Sequence, residues 1–134
     1  MQLNLTTDYA IRIVLYLATK GGIASSIEIS EKMDIPQNAV LKIMRKLNRA
    51  GFTKTHIGIQ GGYSMAKPAA KITLLSIINT MESTTKLNRC LEEDRFCSRF
   101  ATESCPVRNF YCVLQEQLES GLSSITIEML LKMS

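Results

Sequence analysis

The run PQNAVLKIMRKLNRAG, residues 36–51, carries its own start and its own stop. Proline suits a first helical turn, where its missing N–H is not needed, and glycine suits the position just past a helix end. Between them Val40, Ile43, Met44 and Leu47 recur at three- and four-residue spacing, so one face is apolar. The opposite face carries Asn38, Leu41, Lys42, Arg45 and Arg49, with Gln37 and Lys46 at its margins. Upstream, Ser25 or Ser26 can cap a short helix over IEISEKM, which must close by Asp34 because Pro36 disfavours helical geometry at Ile35. A short helix, a tight turn and a second helix with one basic and polar face form the helix-turn-helix pattern.

The flanking segments extend that pattern. Residues 6–20 place Ala10, Ile13, Val14, Leu17 and Ala18 at helical spacing, with Thr6 or Thr7 as cap and Gly21 and Gly22 as the stop. After Gly51, FTKTHI and YSMAK read as two short strands joined by GIQGG, and Pro68 ends the second; this hairpin is the wing of a winged helix. ITLLSIINTMES predicts a further helix with Leu75, Ile78 and Met81 facing the core. From Pro106, the residues Val107, Phe110, Tyr111, Leu114, Leu118, Leu122 and Ile125 trace the stripe of a long amphipathic helix that passes through Gly121, with TIEMLLKM as a short tail helix. So small a domain leaves that stripe little to cover, which predicts pairing with a second copy of the chain; the alternative is that the helix folds back on its own core. The expected fold is mainly α: a winged helix-turn-helix domain over 1–83, a cysteine-bearing loop over 84–105, and a dimerisation helix with its tail over 106–134.

Charge is distributed unevenly. The formal net charge is +4, yet no Asp or Glu occurs from Ile35 to Met81, a span that holds Lys42, Arg45, Lys46, Arg49, Lys54, Lys67 and Lys71. A basic middle between acidic flanks predicts a surface for phosphates, against the alternative of a solvated basic face. Double-stranded DNA with a palindromic site is the expected partner of a dimeric helix-turn-helix protein. Gln37 and Asn38 offer paired donors and acceptors to base edges, and Lys42 reaches guanine or a phosphate. Arg45, Lys46, Arg49 and Lys54 are expected on phosphates. A single His and no nucleophile motif leave no general-base constellation, so no enzyme is expected. The opening apolar run is broken by Asp8 and Arg12 and is too short to span a bilayer, which predicts a cytoplasmic protein without membrane contact.

The stretch CLEEDRFCSRFATESC sets Cys90, Cys97 and Cys105 close together, and Cys112 follows. In a reducing compartment such clusters are metal ligands or redox groups more often than disulfides. The paired C-x-x-C knuckles of zinc sites are absent, but structural zinc, an iron-sulfur cluster and direct thiol switching all stay open on the residues alone. Asp8 reads simply as an acid at a helix start, where unpaired amides favour it.

Taken together, MQLNLTTDYAIRIVLYLA, NAVLKIMRKLNRAGF, GIQGGYSMAKPAAKITL, the three-cysteine loop and SITIEML resemble the winged-helix iron-sulfur regulators that include IscR and the nitric-oxide-sensing repressor NsrR. The resemblance runs from Met1 to about Leu131. It implies a homodimer that binds DNA through the winged helix and holds a [2Fe–2S] or [4Fe–4S] cluster on Cys90, Cys97 and Cys105. The IscR-like branch takes a His three positions after the third cysteine, where this chain has Arg108. The NsrR-like branch takes an Asp from the first helix of the other subunit, and Asp8 matches that position, so the chain resembles that branch more closely. Cys112 is the alternative fourth ligand, or else a small buried residue. The family's wing often has an arginine before its glycine turn; here His56, expected to be a plain exposed strand residue, and Ile57 stand near it. The expected function is a DNA-binding repressor controlled by a cluster that senses nitric oxide, redox state or iron status, with a clusterless thiol- or partner-controlled regulator as alternative.

Overall fold

The computed structural model describes residues 1–133. Helices α1 (Leu5–Lys20), α2 (Ser26–Met33) and α3 (Gln37–Arg49) are followed by strands β1 (Thr53–His56) and β2 (Gly62–Met65), then α4 (Leu74–Met81), α5 (Pro106–Ser124) and α6 (Ile127–Met133). The mainly helical winged-helix architecture is as expected. Among the described residues, no helix is long and apolar enough to cross a membrane.

Helix α1 begins two or three residues earlier than Thr6 or Thr7 as cap would allow. Asn4 is the cap, accepting the Thr6 N–H at 3.0 Å, while its own N–H donates to Glu82 at 2.7 Å. Thr7 is instead fully buried on the core face, so its side chain is unavailable as a cap. Tertiary anchoring to the end of α4 thus decides where the helix starts. Gly21 closes α1 at φ +72°, the left-handed region that favours glycine.

Helices α1, α2 and α3 pack around Ala10, Ile13, Val14, Leu17, Ile29, Val40, Ile43, Met44 and Leu47, all buried. Burying each larger aliphatic side chain contributes about 1.5–3 kcal/mol, so the stripe on α3 alone holds that helix firmly in place. Ser25 caps α2 by accepting the Glu28 N–H at 3.1 Å, and the turn into α3 is tied by Ser30 Oγ donating to the Ile35 carbonyl at 2.6 Å. In α4 the buried residues are Ile77, Ile78 and Met81, whereas Leu75 is only half-buried. The helix starts at Leu74, with Thr73 as cap, which turns Ile77 rather than Leu75 inward.

The strands are antiparallel, with Thr53 opposite Met65 and His56 opposite Gly62. A third segment joins them: Ala24 and Tyr63 exchange backbone hydrogen bonds of 2.9 and 2.8 Å. A Cβ on Gly62 would lie 2.3 Å from the Ala24 carbonyl oxygen, so only glycine permits that approach.

Helix α6 packs back against α1 and the winged-helix core. Ile127 is fully buried in the same core, and its N–H donates to the Ile72 carbonyl at 2.9 Å. Helix α5 stands apart: of its nineteen residues only Gln115 is buried, while Val107, Phe110, Val113, Leu114 and Leu118 are exposed.

Candidate nucleic-acid interface and cysteine cleft

Because its apolar stripe faces inward, α3 turns Gln37, Asn38, Lys42, Arg45, Lys46 and Arg49 to solvent, and Lys54 on β1 is exposed as well. All seven predicted contact residues are therefore accessible. Gln37 is held rather than free, since its amide nitrogen donates to Ser26 Oγ at 3.2 Å. The residue that links helix to wing is Asn48, to which the sequence pattern assigned no role. Its Oδ1 accepts from Thr53 Oγ1 at 2.5 Å and its Nδ2 donates to Thr55 Oγ1 at 2.6 Å. A polar residue at the edge of an apolar stripe is the only signal that could have marked it.

His56 is half-buried, not a plain exposed strand residue. Its Nε2 lies 2.7 Å from Ser64 Oγ on the neighbouring strand. Lys54, His56, Ser64 and Lys67 line a groove of about 380 Å³ beside Gly21 and Gly22, which places two cations at the root of the wing.

The cysteine segment leaves α4 and reaches α5 through bends and one short 3-10 turn, Arg89–Leu91. Cys90, Cys97 and Cys105 line one cleft of about 340 Å³, together with Asn88, Arg108 and Tyr111 among others. Each thiol has a local donor or turn that sets its position. Cys90 is buried, and Asn88 Nδ2 lies 3.2 Å from its sulfur. Cys105 is the cap of α5, where its sulfur accepts the Arg108 N–H at 3.5 Å. The backbone N–H groups of Ala101 and Arg99, and then that of Phe100, hold the Cys97 thiol below its ordinary range against a smaller opposing effect of burial.

Arg108 spans the cleft by donating from Nε to the Cys90 carbonyl at 3.1 Å. It thereby ties the first cysteine to the first turn of α5. Two turns further along, Gln115 accepts the Leu87 N–H at 2.8 Å and donates to the Thr85 carbonyl at 3.0 Å. Gln115 was not anticipated, because an isolated Gln on a helix carries no pattern.

Neither Asp8 nor Cys112 lines this cleft. Asp8 is exposed and paired with Arg12 one turn on, at 2.7 Å; Cys112 is half-buried on α5. Among the described residues, no three His, Cys, Asp or Glu side chains converge closely enough to hold a single metal ion. As thiolates, Cys90, Cys97 and Cys105 are the soft sulfur donors that both zinc and iron-sulfur centres take.

The Rrf2 family model, described as an iron-dependent transcriptional regulator, matches residues 3–133. An HTH-type transcriptional regulator from Aquifex aeolicus (strain VF5) is 31% identical over 124 residues, which cover 92% of this chain and 86% of the relative. Among solved structures, CymR (YrzC), the global cysteine regulator of B. subtilis, superposes with a TM-score of 0.84 at 22% identity, covering 100% of this chain and 98% of that one. T. potens IscR gives a TM-score of 0.76 at 22% identity over 98% of this chain and 87% of that one. At such identities these two likenesses carry the fold alone.

Proposed function

The chain belongs to the Rrf2 family of transcriptional regulators, and from that premise we propose that it is a cytoplasmic homodimeric repressor whose cysteine cleft controls its grip on a palindromic operator. One observation carries the control: Cys90, Cys97 and Cys105, far from one another along the loop, line one cleft at the start of α5. In this reading the three cysteines hold a [2Fe–2S] or [4Fe–4S] cluster as thiolates. Backbone N–H groups directed at Cys97 favour the charged form that metal binding needs. When bound, such a cluster supplies reactivity towards nitric oxide and oxidants and reports on iron status.

Asp8 is the proposed fourth ligand, reaching across from the second subunit as in the nitric-oxide-sensing branch; its exposure leaves it accessible to a partner. Cys112 is the alternative. With Asp8 engaged, the cysteine loop of one subunit is tied to the DNA-binding domain of the other. Breaking that tie shifts the pair of recognition helices between operator-binding and non-binding spacings. Gln37, Asn38 and Lys42 then read bases in the major groove, while Arg45, Lys46, Arg49 and Lys54 contact phosphates.

A second reading is favoured by the same Cys97: a half-buried thiol held in a thiolate-favouring loop is the kind that oxidises reversibly, without any cluster. Anaerobic purification, a visible spectrum and iron and sulfide analysis separate the two. A brown protein carrying both elements is expected, bleached by Cys97→Ser and made labile by Asp8→Ala. Colourless protein with zinc or no metal sinks the cluster reading, and bleaching by Cys112→Ser with an intact Asp8→Ala moves the fourth ligand to Cys112.

A further inference from the structure

Two of the three cleft thiols are served by backbone. Cys97 takes the N–H groups of Ala101 and Arg99, and Cys105 takes the Arg108 N–H at 3.5 Å. Cys90 is the most buried of the three, and its sulfur accepts from a side chain, the Nδ2 of Asn88 at 3.2 Å. A backbone donor stays whatever residue carries it, whereas this one depends on the asparagine.

The Asn88 amide is turned away from its ordinary task. Asn88 stands at the cap of the 3-10 turn Arg89–Leu91, where asparagine commonly accepts a backbone N–H with its side-chain oxygen. Among the described residues, no side-chain cap bond is made at that turn. The Leu91 N–H goes to the Asn88 carbonyl instead, at 3.0 Å, and the amide nitrogen is left to the sulfur. The stretch is pinned to α5 on both sides. Gln115 accepts the Leu87 N–H at 2.8 Å, and Arg108 donates to the Cys90 carbonyl at 3.1 Å. Asn88 sits between these ties, so its amide is in position before any metal arrives.

The chemical effect follows from charge. A thiolate at a buried position is cut off from water and is unfavourable unless a donor faces it. Hydrogen bonds to the sulfurs of an iron-sulfur centre help to set its reduction potential. An added electron puts more negative charge on those sulfurs, so a donor stabilises the reduced form more than the oxidised one.

We propose that Asn88 is a positioning residue of the cleft, whose amide holds the Cys90 thiolate in place and raises the reduction potential of a cluster bound there. This rests on the cluster reading above.

The test compares the full-length protein, purified anaerobically, with Asn88→Leu and Asn88→Asp, which keep the size but remove the donor, and with Asn88→Gln, which keeps the donor. Iron and sulfide per chain are measured first, then the midpoint potential from the visible spectrum during stepwise reduction with dithionite. All four proteins are expected to carry the same iron and sulfide. Loss of the donor should move the reduction equilibrium about tenfold towards the oxidised form, which is roughly 59 mV for one electron. Asn88→Gln should recover part of that shift. Where Asn88→Leu does not retain its colour, Asn88→Asp supplies the same reading. Equal potentials for the parent and the donor-free variants overturn the proposal and leave the cluster reading intact. An equal shift in Asn88→Gln also overturns it, by tracing the change to a disturbed loop. A colourless parent removes the cluster reading itself, and this proposal with it.

Discussion

Asn48 and Glu28 show how much a single polar side chain governs in so small a domain. Asn48 uses both ends of its amide on β1, and Thr53, one of its partners, is buried. Asn48→Ala leaves the buried Thr53 hydroxyl without that acceptor and is expected to cost about 1–3 kcal/mol in urea denaturation. It should also weaken DNA binding, because the wing loses its tie to the recognition helix. Glu28 joins α1 to α2. Lys20 donates to its carboxylate at 2.6 Å and Tyr16 at 2.5 Å, and these bonds, the lysine's first, hold its carboxyl below the ordinary range. A carboxyl depressed in the folded state adds stability above its unfolded value, and that increment fades as pH falls through the folded one. Stability is therefore expected to drop below about pH 4.5, and Glu28→Gln should flatten that part of the profile. Equal acid sensitivity of parent and variant in thermal melts would refute this role. Neither linkage was legible beforehand, since both join residues whose partners lie on other elements.

At the scale of elements, α5 is tied to the cysteine loop by side chains that grip backbone. Gln115 holds the segment leading into Cys90 at Leu87 and Thr85, and Arg108 holds the Cys90 carbonyl itself. Helix and cysteine loop are thus tied together at three backbone positions. Gln115→Leu leaves one N–H and one carbonyl without these partners. It is expected to destabilise the fold by about 1–3 kcal/mol and to raise the alkylation rate of Cys90, read by mass spectrometry. An unchanged rate at Cys90 would show that the segment is held by other contacts. The helical spans of α3 and α5 and the wing hairpin were legible because apolar period, proline and glycine act locally. The start of α1 was not, because Asn4 owes its place to Glu82, at the far end of another helix.

For the whole molecule, the two halves of the fold differ in how well they are covered. The winged helix and α6 enclose a continuous core, whereas α5 presents Val107, Phe110, Val113, Leu114 and Leu118 to solvent. A stripe of that size is unfavourable in water, and in the proposed homodimer a second copy of the same helix would cover it. Leu118→Glu is expected to leave the single-chain fold intact while converting a dimer to a monomer by light scattering, with a large loss of affinity for palindromic DNA. A dimer that survives Leu118→Glu would place the contact elsewhere. The sequence alone determined the order of elements, the basic acid-free middle and the clustering of thiols, since periodicity, charge and spacing are properties of neighbours along the chain. Only the tertiary structure decided that Cys90, Cys97 and Cys105 share a cleft without Asp8 or Cys112, that His56 braces the wing, and that α6 completes the winged-helix core. These depend on contacts between residues far apart in sequence, which arise from the packing of whole elements and leave no local pattern to read.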